Sequence, residues 1–187
     1  MISARNLILA FAVLGSLASA APAENVPRQA FVPGTLNSTR EFYVTMKVIS
    51  GVHLRKYNGW QIETYHTGAG LADPVFNITG TRAFLNNTQL QFDANLFPFS
   101  LIANVGDTNY ARWEPTSIGA GYGTAGFVDA GSKGIITNNA EFGGWLVCEW
   151  YHGVNLPQLF QLIKGFNAPD DGYPATCATV KLIAKWI

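Results

Sequence analysis

Charge is scarce in this sequence. Lys and Arg number 12, Asp and Glu number 12, and together they make up 13% of 187 residues, about half of the ~25% usual in soluble domains. The even balance argues against a nucleic-acid partner, because a phosphate-binding surface needs clustered Lys and Arg. Only Arg55 and Lys56 are adjacent basic residues. Long apolar runs are lacking too. The run at residues 7–17 has about 11 residues, well short of the roughly 20 that span a bilayer. No second run stands near the C-terminus, which disfavours a lipid anchor added there. Cysteine is limited to Cys148 and Cys177. There is no Gly-x-Ser-x-Gly elbow, no His-Glu-x-x-His, no P-loop and no EF-hand loop, and Asp170-Asp171-Gly172 reads as a turn. His53, His66 and His152 are too dispersed to suggest a metal site. Nothing in the pattern calls for a cofactor.

What is present begins at the N-terminus. Residues 1–6 are short and carry one Arg, residues 7–17 are apolar, and Ala18-Ser19-Ala20 is the small-x-small pattern that signal peptidase accepts. Residues 1–20 therefore read as a signal peptide, and the expected location is secreted and extracellular. Residues 21–39, with three Pro and no periodicity, read as a flexible leader. Residues 40–187 are long enough for one domain with a substantial core, expected to be monomeric. In an oxidising compartment Cys148 and Cys177 most simply form one disulfide, the alternative being two free buried thiols. Asn37, Asn77 and Asn86 each open an Asn-x-Ser/Thr sequon and are candidate N-glycan acceptors on the surface.

The hydrophobic period is close to two throughout. Phe42, Val44, Met46 and Val48 alternate with Tyr43, Thr45 and Lys47, and similar alternation marks residues 60–64, 89–93 and 178–186. Trp113 stands between Arg112 and Glu114, which would share an outer face and pair there. Further short strands are expected at residues 99–103, 126–129, 135–137, 145–150 and 159–163. Gly- and Pro-rich turn clusters lie between them, at residues 56–59, 68–74, 106–109, 119–126, 131–134 and 168–174. The expected fold is all-β: a single antiparallel sandwich or barrel of about ten short strands, with the first and last strands side by side. One echo suggests an alternative. Gly70-Leu71, Gly121-Tyr122 and Gly172-Tyr173 recur every 51 residues, which would fit a β-trefoil.

Several motifs point to a family. Tyr65-His66-Thr67-Gly68-Ala69-Gly70 is followed by Asp73. Gly143-Gly144-Trp145-Leu146-Val147-Cys148 leads to Trp150, His152-Gly153 and Pro157-Gln158-Leu159-Phe160. Residues 110–115 and the closing Cys177-Ala178-x-Val180 complete the set. Together they resemble a family of small secreted proteins of filamentous ascomycete fungi, known only as a domain of unknown function. The resemblance implies fungal origin and secretion. It brings no activity, so no residue role is carried over.

Candidate site residues come from the residues themselves. His66 ends a strand and meets a Gly-rich turn able to bring backbone N–H groups to a ligand, and Asp73 follows. In residues 145–152 the two faces carry Trp145, Val147, Glu149 and Tyr151, or Leu146, Cys148, Trp150 and His152. If Cys148 faces outward, Glu149 points inward and burial would raise its pKa. If Cys148 points inward, Trp145 and Tyr151 form an outer aromatic strip of the kind that stacks on sugars. Glu63, Asp93, Glu114 and Glu149 are available as acid/base carboxylates for a glycosidase, but no spacing pairs them. The expectation is a non-catalytic binding module for a glycan or a cell or host surface, with His66, Asp73, Trp145, Glu149 and His152 as candidate ligand contacts. The alternatives are a glycan hydrolase and an interaction protein of the secretome.

Overall fold

A computed structural model describes residues 40–94, 99–104, 112–165 and 173–187. The expected signal peptide and leader, with Asn37 and Gly172, lie outside the described residues.

Alternation becomes strand wherever one set of side chains can be buried. In β1 (Phe42–Val48) the residues Phe42, Val44, Met46 and Val48 are buried and those between them are not. β2 (Gln61–Gly68) and β3 (Leu71–Asn77) form a hairpin, as do β4 (Arg82–Asn86) and β5 (Gln89–Phe92). β6 (Phe99–Ile102), β7 (Trp113–Pro115) and β8 (Ser117–Ala120) follow. β9 (Phe127–Asp129) pairs with β10 (Ile135–Thr137) in a separate ribbon. The long strands β11 (Phe142–Tyr151), β12 (Asn155–Ile163) and β13 (Cys177–Trp186) complete the order. β1 lies antiparallel to β13 over its whole length, so the first and last strands are neighbours as the alternation suggested.

Nine strands close into an antiparallel barrel in the order β1-β13-β11-β12-β3-β8-β6-β5-β4, returning to β1. β2 flanks β3 and touches β1 through Thr45 and Gln61. β7 adds to the edge of β12. This ring is not a trefoil. β3 pairs with β2, β8 and β12, whereas the strand at the 51-residue offset, β9, pairs with β10.

The barrel interior is packed core, including Phe42, Met46, Ile62, Phe76, Phe92, Ile118, Val147 and Leu182. One end is stopped by a 3-10 turn, Val52–Tyr57, whose Leu54 is fully buried in that core. The other is covered by the β9–β10 ribbon, whose Phe127 and Ile135 join the same core. A second apolar cluster lies on the outer face of β11 and β12, made of Leu146, Cys148, Phe160, Leu162, Cys177 and Trp113. β11 is thus apolar on both faces because both are covered, which is why its orientation was ambiguous from sequence.

Three readings of the sequence need correction. Residues 68–74 are not one turn: β3 starts at Leu71 and runs through Asp73 and Pro74. Pro cannot donate to a ladder, and β3 changes partner at that point, from β8 at Leu71 and Ala72 to β12 at Val75. β4 and β8 are also absent from the expected strands: Arg82 and Asn86 bracket only three apolar residues, and Ser117–Ala120 has one large apolar residue and runs into the turn expected at 119–126, whose first two residues are strand. Lastly, Trp113 packs outward against Phe160, so Glu114 faces the other way and is 2% exposed rather than on a solvent face.

Candidate functional site

With the interior filled, ligand contacts must come from the surface. The change of partner along β3 leaves Asp73 at a gap between β8 and β12, and into this gap folds the β11–β12 hairpin. The His152 Nδ1 lies 3.7 Å from Asp73 Oδ2, and its Nε2 lies 2.9 Å from Gln158 Oε1. In the tautomer with Nε2 protonated, or as imidazolium, His152 donates to Gln158. The Tyr65 hydroxyl donates to the His152 carbonyl at 3.1 Å, and the two rings stand 4.8 Å apart. Tyr65 and Asp73 are opposite each other in the β2–β3 hairpin and so project from the same face.

The electrostatics of this group follow from its partial burial. The His152 side chain is 7% exposed and that of Asp73 is 27% exposed. Removal from water raises the Asp73 pKa, and the neighbouring imidazole offsets only part of the rise. One carboxylate edge thus remains in contact with solvent beside an imidazole whose far nitrogen is hydrogen-bonded to Gln158.

Trp150 lies on the outer face of β11 with Leu146 and Cys148, and Gln158, which His152 meets, lies on the outer face of β12 with Phe160 by alternation. Its ring meets Phe160 at 5.5 Å and Trp113 at 6.3 Å, both edge-on, and 40% of the residue is exposed. The indole is therefore held by the outer apolar cluster while part of it faces water. Beneath that cluster, Cys148 and Cys177 are directly opposite on β11 and β13 and joined by a disulfide, with their Cα atoms 3.9 Å apart.

Of the five residues singled out from sequence, the structure brings together Asp73 and His152. Trp145 faces inward, is 3% exposed, and donates its indole N–H to the Ile135 carbonyl at 2.6 Å. A buried indole offers no stacking face, so the sugar platform cannot be there. Glu149 sits at the end of the inward face but is neither buried nor raised in pKa. It accepts from the Tyr57 hydroxyl at 2.7 Å and from Lys56 Nζ at 3.0 Å, and these donors, Tyr57 foremost, lower its pKa. His66 is exposed on the other face of β2 from Tyr65. It lines a separate recess of about 90 Å³ with Thr64, Leu71, Ala72, Ala94 and Phe99. The five residues do not form one patch.

Sequence reasoning missed Tyr65, Trp150 and Gln158. The signal was available for Tyr65, which has the opposite parity to His66. Trp150 shares the parity of Cys148, so its exposure depends on which way Cys148 faces. Gln158 needed the hairpin register.

The other carboxylates are structurally engaged. Glu63 accepts from the Asn77 side chain at 2.7 Å, and Asp93 from Arg82 at 2.8 Å. Glu114 is buried. Asn77 and Asn86 are the last residues of β3 and β4, half-buried, with their amides donating to Glu63 and Gln91.

The family model for Domain of unknown function (DUF7907) matches residues 39–186. The chain belongs to the DUF7907 family. The match spans every strand of the barrel, including the Asp73–His152 contact and the disulfide. No curated protein and no solved structure matches the chain. For this DUF7907 domain the site must be argued from its own geometry.

Proposed function

We propose that this domain is a secreted, fungal, non-catalytic binding module whose ligand is a glycan on a cell or host surface. The supporting observation is Trp150: a partly exposed indole, held edge-on in the outer cluster with Phe160, whose strand also carries the Gln158 that meets His152 beside the partly exposed Asp73 carboxylate. A sugar ring offers an apolar C–H face and a rim of hydroxyls. An indole takes the first, and a carboxylate with an imidazole takes the second. The site residues in this reading are Trp150, Asp73, His152 and Tyr65, with Gln158 orienting the imidazole. Turnover is not favoured, because the glycosidase pattern needs two carboxyl groups about 5–10 Å apart across the bound sugar, and the site in this reading is built on one, Asp73.

Secretion is supported by the signal-like residues 1–20 and by the Cys148–Cys177 disulfide, which suits an oxidising compartment. Among the described residues, no helix is long and apolar enough to cross a membrane.

The test is calorimetric titration of a panel of fungal and plant cell-wall oligosaccharides. The proposal predicts saturable binding that weakens about tenfold or more in Trp150→Ala, as expected for loss of an aromatic contact worth roughly 1–3 kcal/mol. Asp73→Asn weakens it less, because the amide keeps one acceptor. Binding to no member of the panel, or equal affinity in Trp150→Ala, contradicts the proposal. Release of new reducing ends would instead place the hydrolase first.

A further inference from the structure

The end of the barrel where β1 and β11 finish and β13 begins carries a second surface, which borders the first at the β11–β12 turn. The 3-10 turn that stops this end is rigidly seated. Leu54 is fully buried, and Gly51 approaches β13 so closely that an added Cβ would stand 2.6 Å from that of Ala178. The outward side of the turn presents Val52, 70% exposed, with His53, Arg55 and Lys56 also exposed. Glu149 accepts from both Tyr57 and Lys56, which ties the turn to the end of β11. Two residues on, Tyr151 is 73% exposed, and Val154 in the following turn is 62% exposed. Ile49 continues the apolar set from the end of β1. Behind it, Lys47 is directly opposite Lys181 on β13.

Single exposed apolar side chains are ordinary. Four at one end of a barrel, beside the sequence's one Arg-Lys pair, call for a partner. The basic residues set the sign of that partner. Glu149, the carboxylate at the centre of the group, is already occupied by Lys56 and Tyr57.

We propose that this end of the barrel is a docking surface for an anionic lipid bilayer. Val52, Tyr151 and Val154 enter the boundary between headgroups and acyl chains, and Arg55 and Lys47 face the lipid phosphates, while Lys56 neutralises Glu149 between them. Tyr suits that depth because its ring is apolar and its hydroxyl stays wet. The attachment is peripheral and reversible, and salt weakens it by screening. It uses the side chains of neither Trp150 nor the Asp73–His152 pair. Tyr151 and Val154 flank His152 in one hairpin, so the two surfaces adjoin, and the variants below tell them apart.

The experiment is co-sedimentation of the disulfide-bonded chain with vesicles of phosphatidylcholine alone and of phosphatidylcholine with phosphatidylserine. The expected result is sedimentation with the anionic vesicles at low salt and release at high salt. Val52→Ser combined with Tyr151→Ser, and Arg55→Glu alone, each weaken it by about tenfold, with thermal melting unchanged because these side chains are exposed. Excess soluble glycerophosphoserine leaves sedimentation intact, since a free headgroup has no acyl boundary. No sedimentation at low salt, wild-type sedimentation by the double Ser variant, or full competition by the soluble headgroup overturns the proposal. So does sedimentation lost in Trp150→Ala but kept in the double Ser variant, which would place the contact on the glycan face.

Discussion

Glu149 illustrates how a single side chain is defined by its donors rather than by its depth. Alternation along β11 places it on the inward face, where burial alone would raise its pKa. Tyr57 and Lys56 reverse the sign. Because its folded pKa lies below its unfolded one, Glu149 contributes stability above the ordinary carboxylate range, and that contribution is lost as pH falls through the lowered folded pKa. Glu149→Gln should therefore cost about 1 kcal/mol at neutral pH, discounted for solvent access. The cost should shrink as acid protonates the wild-type carboxylate. Urea midpoints measured from neutral to acid pH check this, and a constant difference across the range would contradict it. Asp73 has the opposite linkage. Its pKa is raised by burial, so it favours folding most when protonated, and Asp73→Asn should leave neutral-pH stability unchanged or slightly increased.

Trp145 makes the same point for an aromatic. An indole was expected to stack on a ligand, but its N–H is committed to a buried carbonyl and its ring lies parallel to Phe127 at 6.3 Å. Trp145→Phe keeps most of the apolar volume and leaves the Ile135 carbonyl without that donor. It should cost about 1–3 kcal/mol in chemical denaturation and leave glycan titrations unchanged. A loss of binding without a loss of stability would return Trp145 to the site.

At the scale of elements, strands with one covered face were legible and strands with two or none were harder. β1 and β13 alternate cleanly because the barrel covers one side and water the other. β10 was placed at its observed bounds, and β11 and β12 were found with short ends. β3 was hidden by Asp73 and Pro74, which are turn residues by composition. They are tolerated because the strand has no ladder partner on one side there. The site at Asp73 exists for the same reason, so the feature that concealed the strand also produced the gap. β7 was given the wrong face, because the second apolar cluster outside the barrel attracts Trp113 and turns Glu114 inward. No local pattern announces a second cluster.

The disulfide belongs to this scale. It joins β11 to β13 directly beneath the Trp113–Trp150–Phe160 cluster and spans 29 residues of sequence. Its removal by Cys148→Ser with Cys177→Ser should destabilise by roughly 3–4 kcal/mol in the chain-entropy account and loosen the support of Trp150. Reversible unfolding of the paired variant against wild type measures the first effect, and Trp fluorescence quenching by acrylamide the second. Equal stability would show that β11–β13 pairing alone holds this edge.

For the whole molecule, the sequence supports an all-β sandwich or barrel with its first and last strands adjacent, and the structure is a closed nine-stranded antiparallel barrel stopped at both ends. Closure itself was not legible. It depends on a few long-range contacts, such as Gln158 with Val75 and Phe42 with Ala83, that leave no periodic trace. Convergence of the candidate residues was equally out of reach, since His66 and Asp73 are near in sequence yet project from opposite faces of one hairpin. A filled barrel must bind with its outside, and the proposals assign two outer regions to two partners. The proposed secretion adds a check of its own. N-terminal sequencing of exported material should begin at Ala21, and material beginning at Met1 would contradict it.

The central claim is that ligand recognition lies on the outer face around Trp150, His152 and Asp73. Its most direct measurement is a two-dimensional NMR titration of the labelled domain with an oligosaccharide that binds. The account predicts that the Trp150 indole signal and the amides of residues 150–153 and 73 shift together and saturate at one affinity, while the Trp145 indole stays in place. Shifts confined to the His66 recess or to the 3-10 turn Val52–Tyr57, with Trp150 unmoved, would contradict it.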